Sequence, residues 1–79
     1  MYDHYIAVDW AQKNMAIARM TATKTLVSTW EGPSSVKEVV LYLSKLKGKK
    51  VLTVEESSTS QWLYTELKDY VDEIVVCEI

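Results

Sequence analysis

The chain has one cysteine, one proline, two glycines and no phenylalanine. A lone Cys77 excludes a disulfide scaffold and a zinc site built from cysteines, and it fits a reducing compartment. So little Gly and Pro excludes a linker, a collagen-like repeat and a low-complexity tail. No apolar run approaches the ~18 residues needed to span a membrane. Met1-Tyr2-Asp3-His4 lacks the basic start of a signal peptide. A soluble, cytoplasmic chain with no membrane partner is therefore expected. Neither sign of charge is in large excess, because 9 basic and 11 acidic residues leave a net charge of −2. Composition alone therefore does not announce a nucleic-acid binder. A length of 79 residues excludes more than one small domain. Folding at this size buries only roughly 60% of the unfolded chain's surface, so the core is thin.

What is present is an ordinary globular composition, 48% apolar and 25% charged. Short β-rich runs occupy His4–Asp9, Met15–Met20 and Thr25–Glu31, and polar turns over Trp10–Asn14 and Thr21–Lys24 separate them. They predict a three-stranded antiparallel meander. Gly32-Pro33 interrupts the pattern, with Pro33 suited to a first helical turn. Ser35-x-x-Glu38 has capping-box spacing, and Val36, Val39, Val40, Leu43 and Leu46 recur at helical intervals. A helix over 34–46 is predicted, ended by Gly48, with the neighbouring lysines complementing its dipole. Val51–Val54 reads as a buried strand. A second helix follows, capped by Ser58-x-x-Gln61 and carrying a stripe of Leu63, Leu67, Tyr70 and Val71. Ile74–Cys77 reads as a last buried strand, with Cys77 packed and inert.

The expected fold is thus α/β, a single domain in the order β-β-β-α-β-α-β. It predicts a mixed sheet with helices on its faces and right-handed crossovers after the third strand. The sequence stops at Ile79, directly after a strand, so a piece of a longer protein is expected.

Two acidic positions stand out. Asp9 ends the apolar strand Ile6-Ala7-Val8, and ligands gather at the carboxyl ends of strands in open α/β sheets. A strand-end turn bond is its plain structural alternative. Glu55 and Glu56 directly follow Val51–Val54. Adjacent residues of an extended chain point to opposite faces, so at most one of them shares a face with Asp9. The structural alternative for both is a solvated acid at a helix N-terminus, stronger for Glu56. If the first and fourth strands are neighbours, Asp9 and one Glu lie side by side. Two carboxylates so close favour a hard cation between them, and Mg²⁺ binds through one or two carboxylates plus phosphate oxygens. Two-metal phosphodiester cleavage needs about three or four acids, and only two fall in register here.

Tyr5-Ile6-Ala7-Val8-Asp9-Trp10-Ala11-Gln12-Lys13 resembles the opening strand, Asp and short polar turn of ribonuclease H-like nucleases. Val54-Glu55-Glu56-Ser57-Ser58-Thr59, with Gln61-Trp62-Leu63-Tyr64 and Val75-Val76-Cys77, resembles the N-terminal RuvC-like domain of the DEDD transposases of bacterial and archaeal insertion sequences. The resemblance covers nearly the whole chain and shares its order of elements. It implies a prokaryotic protein and an Asp, Glu, Asp, Asp tetrad holding Mg²⁺ (or Mn²⁺). Asp9 matches the first acid and Glu55 the second, with Glu56 as the alternative. The family's last two acids form an Asp-x-x-Asp motif on a later helix. Asp69-Tyr70-Val71-Asp72 has that spacing but precedes the last strand, and it reads as a solvated helix end. The family's C-terminal serine domain has no counterpart here. The resemblance further implies DNA as substrate, a guide RNA and a homo-oligomer, for a complete protein of which this chain is an inactive part.

Other residues offer weaker chemistry. Lys45, Lys47, Lys49 and Lys50 form a basic patch that would contact phosphates in a salt-dependent way, or simply solvate a helix end. Lys13 lies near Asp9 and is either a phosphate contact or a turn lysine. Trp10 could stack on a base, whereas Trp30 and Trp62 read as core or interface residues. His4 has no second ligand nearby. The Ser57–Ser60 cluster lacks a histidine and a nucleophile elbow, so it reads as a helix cap. Sugar kinases and actin-like ATPases also open with strand and Asp, but they place Gly and Ser or Thr after it to cradle phosphate. Trp10-Ala11-Gln12-Lys13 has none of these. A non-catalytic interaction module of the same fold is the remaining alternative.

Overall fold

A computed structural model describes residues 1–23 and 25–78. Lys24, the last residue of the predicted Thr21–Lys24 turn, and Ile79 lie outside the described residues. The elements run β1 (His4–Trp10), β2 (Asn14–Thr21), β3 (Leu26–Pro33), α1 (Val36–Ser44), β4 (Lys50–Glu55), α2 (Ser60–Leu67) and β5 (Glu73–Cys77). A short 3-10 turn over Lys68–Tyr70 follows α2. The strands form one mixed sheet in the order β3-β2-β1-β4-β5. β1 and β2 pair antiparallel, as do β2 and β3, whereas β4 lies parallel to both β1 and β5.

The alternation of β1 decides which side is the core. Ile6 and Val8 are buried, Ala7 and Asp9 exposed. Met15 and Ile17 of β2 and Leu52 and Val54 of β4 continue the buried side, and Val39, Leu43, Leu63 and Leu67 of the two helices close over it. Both helices therefore cover one face, not both as the sequence reading predicts. The crossovers explain this. One steps from β3 past β2 and β1 to β4, the other from β4 to β5, so both move in the same direction across the sheet. Two crossovers of the same hand stepping the same way place both helices on the same side. The opposite face has no helix among the described residues.

Several local expectations change. Pro33 is the last residue of β3 and does not open α1. α1 is capped by Ser35, whose Oγ accepts from Glu38 N at 3.3 Å. It ends at Ser44 with Lys45 as C-cap and no basic residue within its last turn, so Lys45 is the lysine placed at the negative end of its dipole. Gly48 comes later, at φ +103°, and turns the chain into β4. α2 begins after Thr59, not at a Ser58 capping box, and Thr59 makes no side-chain cap. Ser57 organises this turn instead. Its Oγ accepts from Thr59 N and its carbonyl accepts from Ser60 N and Ser60 Oγ. Tyr70 is half exposed and lies outside the core stripe. β5 is an edge strand, with Val75, Val76 and Cys77 exposed, so neither the strand nor its cysteine is buried. No helix among the described residues is long and apolar enough to cross a membrane.

Candidate functional site

β1 and β4 are adjacent and parallel, and their ladder runs from His4 opposite Lys50 to Val8 opposite Val54. One residue further along each strand stand Asp9 and Glu55. Adjacent strands lie about 4.8 Å apart, so these two carboxylates rise from neighbouring backbones. Because Val8 and Val54 point into the core, Asp9 and Glu55 both point to the uncovered face. They line a shallow concavity of about 490 Å³ there, floored by Ala7, Ala16, Ala18 and Thr53. Glu56 lies one residue past the strand end, and its N–H donates to the Cys77 carbonyl at 2.8 Å.

Glu31 is a third acid on this face that sequence reasoning did not single out. Asp9 pairs with Ala16, and Ala16 pairs with Glu31 across the meander. Glu31 thus occupies the same transverse row as Asp9, two strands away, or about 10 Å between backbones. Its signal was available in the meander itself, once each hairpin register was fixed. Cys77 ends the row on the far side, opposite Glu55. The spread of the row matters. Among the described residues, no group of three His, Cys, Asp or Glu side chains converges closely enough to hold a metal ion.

Lys13 lies at the same end of the sheet, in an exposed turn that is tied down by backbone bonds. Ala11 N donates to Asn14 O, and Ser34 N donates to Lys13 O at 2.9 Å. Ser34 Oγ adds a bond to Ala11 O at 2.6 Å. The turn's backbone is engaged with the ends of β2 and β3, unlike a loop opened to cradle phosphate. Trp10 points to the helix side. It is half-buried against the core and meets Trp62 edge to face at 5.6 Å. Its ring therefore packs beneath α2 and does not stand beside Asp9.

The basic patch is at the other end. Lys50 opposes His4 at the start of β1, five residues before Asp9, or about 16 Å along the strand. Lys45, Lys47 and Lys49 precede it, so the structure does not gather the lysines with the carboxylates. Their backbone instead fastens this end of the sheet. Lys49 O accepts from Asp3 N and His4 N, Asp3 Oδ2 accepts from Lys49 N at 2.8 Å, and Lys47 O meets His4 Nε2. Asp72 is not a solvated helix end. Its carboxylate accepts from Lys50 N at 2.7 Å, and its N–H donates to Lys50 O. Asp69 and Asp72 thus stand at the lysine end and cannot complete a site with Asp9 and Glu55.

Among the described residues, the Tyr2 phenol is raised above its ordinary value, first by its hydrogen bond to the Glu73 carboxylate, then by desolvation and by that carboxylate's charge. It belongs to the lysine end as well. No protein-family model matches the chain, and no curated protein matches it in sequence.

Proposed function

We propose that this chain is the opening part of a ribonuclease H-like catalytic domain of the DEDD transposase type, acting on DNA phosphodiesters in the complete protein. The observation that carries the reading is the pairing of Asp9 and Glu55 at the carboxyl ends of two adjacent parallel strands, on the face without helices. Neighbouring carboxylates repel, and a hard divalent cation relieves that repulsion. Two carboxylates with water and phosphate oxygens suffice to hold one Mg²⁺ or Mn²⁺. An ion there supplies Lewis-acid polarisation of a phosphodiester. Asp9 and Glu55 are the residues that would hold it, and Glu56 is not. Glu31 is too distant to share the ion. Two acids make an incomplete two-metal centre, so the remaining ligands, the guide RNA and the oligomer belong to the complete protein under this reading. The mixed sheet β3-β2-β1-β4-β5, an antiparallel meander extended by two helix-linked parallel strands, supports the same reading.

Lys13 is the only lysine of the proposed nucleic-acid contacts at the acid end. Lys45, Lys47, Lys49 and Lys50 would meet a phosphate elsewhere along a bound duplex. Trp10 packs edge to face against Trp62 on the helix side, away from the carboxylates.

Calorimetric titration with Mn²⁺ tests the reading. The wild-type chain is expected to bind one ion weakly. Asp9→Asn and Glu55→Gln should each reduce the affinity at least tenfold, about 1.4 kcal/mol, and Glu56→Gln should leave it unchanged. Binding that is absent, or indifferent to Asp9→Asn, would favour the non-catalytic module, for which the uncovered apolar face is the supporting feature.

A further inference from the structure

The two edges of the sheet are built differently. β3 ends in Gly32-Pro33, and its pairing with β2 slips at Arg19/Met20. A proline and an irregular register are devices that protect an edge from further pairing. β5 has neither. Its five residues Glu73-Ile74-Val75-Val76-Cys77 contain no Pro, Gly or Lys and pair with β4 in unbroken register. Val75 and Val76, one on each face, are each 38% exposed.

The backbone polarity of this edge follows from one bond. Glu56 N donates to Cys77 O, so the backbone groups of Cys77 face β4. In a strand these groups alternate sides, so those of Val75 and Glu73 also face β4. Those of Ile74 and Val76 face outward, with no neighbouring strand on that side among the described residues.

We propose that β5 is a self-association edge, at which a second copy of this chain adds its own β5 antiparallel to make a continuous ten-stranded sheet. The self-complementarity of the strand selects the partner and the register. Directly opposed residues must share a face, and a two-fold axis at Val75 satisfies this. Val75 then opposes the partner copy's Val75, Ile74 opposes Val76, and Glu73 opposes Cys77. The five strand residues are matched, both central pair types are apolar, and no two carboxylates are opposed. Ile74 and Val76 carry the outward groups, so each such pair exchanges both of its N–H···O=C bonds. Val75 is the non-hydrogen-bonded pair, with Cα atoms about 4.5 Å apart. Moving the axis to Val76 would instead oppose Ile74 with Glu78. This surface is independent of the metal-site reading, because Asp9 and Glu55 remain open on either side of the new pairing.

Sedimentation velocity of the full chain from micromolar to millimolar concentration tests the edge. Wild type is expected to show concentration-dependent dimers. Val76→Pro removes an outward N–H without touching the β4–β5 ladder, so it should weaken dimerisation at least tenfold while keeping the wild-type circular dichroism spectrum. A monomer throughout in wild type, or a dimer unaffected by Val76→Pro, would overturn the proposal, and the second result would move the interface to the open sheet face. If Val76→Pro does not fold, cross-linking decides. In a Cys77→Ser background, Val75→Cys should oxidise readily to a disulfide-linked dimer, since its Cα spacing suits a disulfide, and Val76→Cys should not. Equal cross-linking of the two variants would overturn the proposal.

Discussion

At Gly48 the backbone sits at φ +103°, a region that side chains rarely adopt, and an added Cβ would collide with the Asp3 carboxylate. That carboxylate accepts the Lys49 N–H and so holds the connection into β4. Gly48→Ala is expected to cost about 1–3 kcal/mol in denaturant unfolding. Asp3→Ala in the same chain should recover part of that loss, because the two residues share one contact. Tyr2 makes a second residue-scale prediction. Its phenol has a folded pKa above the ordinary 10.0, through Glu73. The associated stability is fully present below the unfolded value and is lost as pH rises through the folded one. Glu73→Gln should lower the Tyr2 midpoint in an ultraviolet absorbance titration. An unchanged midpoint would show that the carboxylate is not the cause. Asp9 and Glu55 were legible at this scale because each follows a short apolar strand directly. Asp3 and Asp72 were not, since their role depends on where β4 starts beside β1 and β5.

The elements divide according to how local their determinants are. Ser35 and Glu38 sit within one turn, and the Ser35 half of the capping box forms, its Oγ accepting from Glu38 N. Ser35→Ala should therefore destabilise the chain by about 1 kcal/mol, measured by urea unfolding. An effect near zero would mean that packing of Val39 and Leu43 alone fixes the start of α1. The meander was also legible, as β-branched and apolar runs divided by polar turns. Pro33 was misread because its fixed φ suits a strand end as well as a first helical turn. The Ser58 spacing misled for a similar reason, since Ser57 satisfies the turn with its own hydroxyl and carbonyl. β5 looked buried because Ile74-Val75-Val76-Cys77 is apolar throughout. An apolar run marks a strand, but whether it lies at the centre or the edge depends on strand order, which no short window contains.

For the whole molecule, the decisive feature is one covered sheet face and one open one. The sequence order allowed helices on both faces, and only the common direction of the two crossovers puts them together. That arrangement separates the chain's chemistry into two ends. Asp9, Glu31, Glu55 and Lys13 stand at one, and the Lys45–Lys50 segment, Asp3, Asp72 and Tyr2 at the other. The separation of about 16 Å exceeds the ~8–10 Å screening length at physiological salt. The pairing of Asp9 with Glu55 was anticipated on the condition that β1 and β4 be neighbours, and they are. Glu31 escaped notice because its row depends on two hairpin registers at once.

The most direct measurement is Mn²⁺-induced broadening of backbone amide signals in the uniformly labelled chain. The account predicts that broadening begins at residues 8–10 and 54–56 and on the open-face side of β2. It predicts none at residues 45–50 at the same metal concentration, and its loss in Asp9→Asn. Broadening centred on Asp3, Asp72 and Glu73, or a pattern that Asp9→Asn leaves intact, would contradict the assignment of Asp9 and Glu55 as the metal-binding pair.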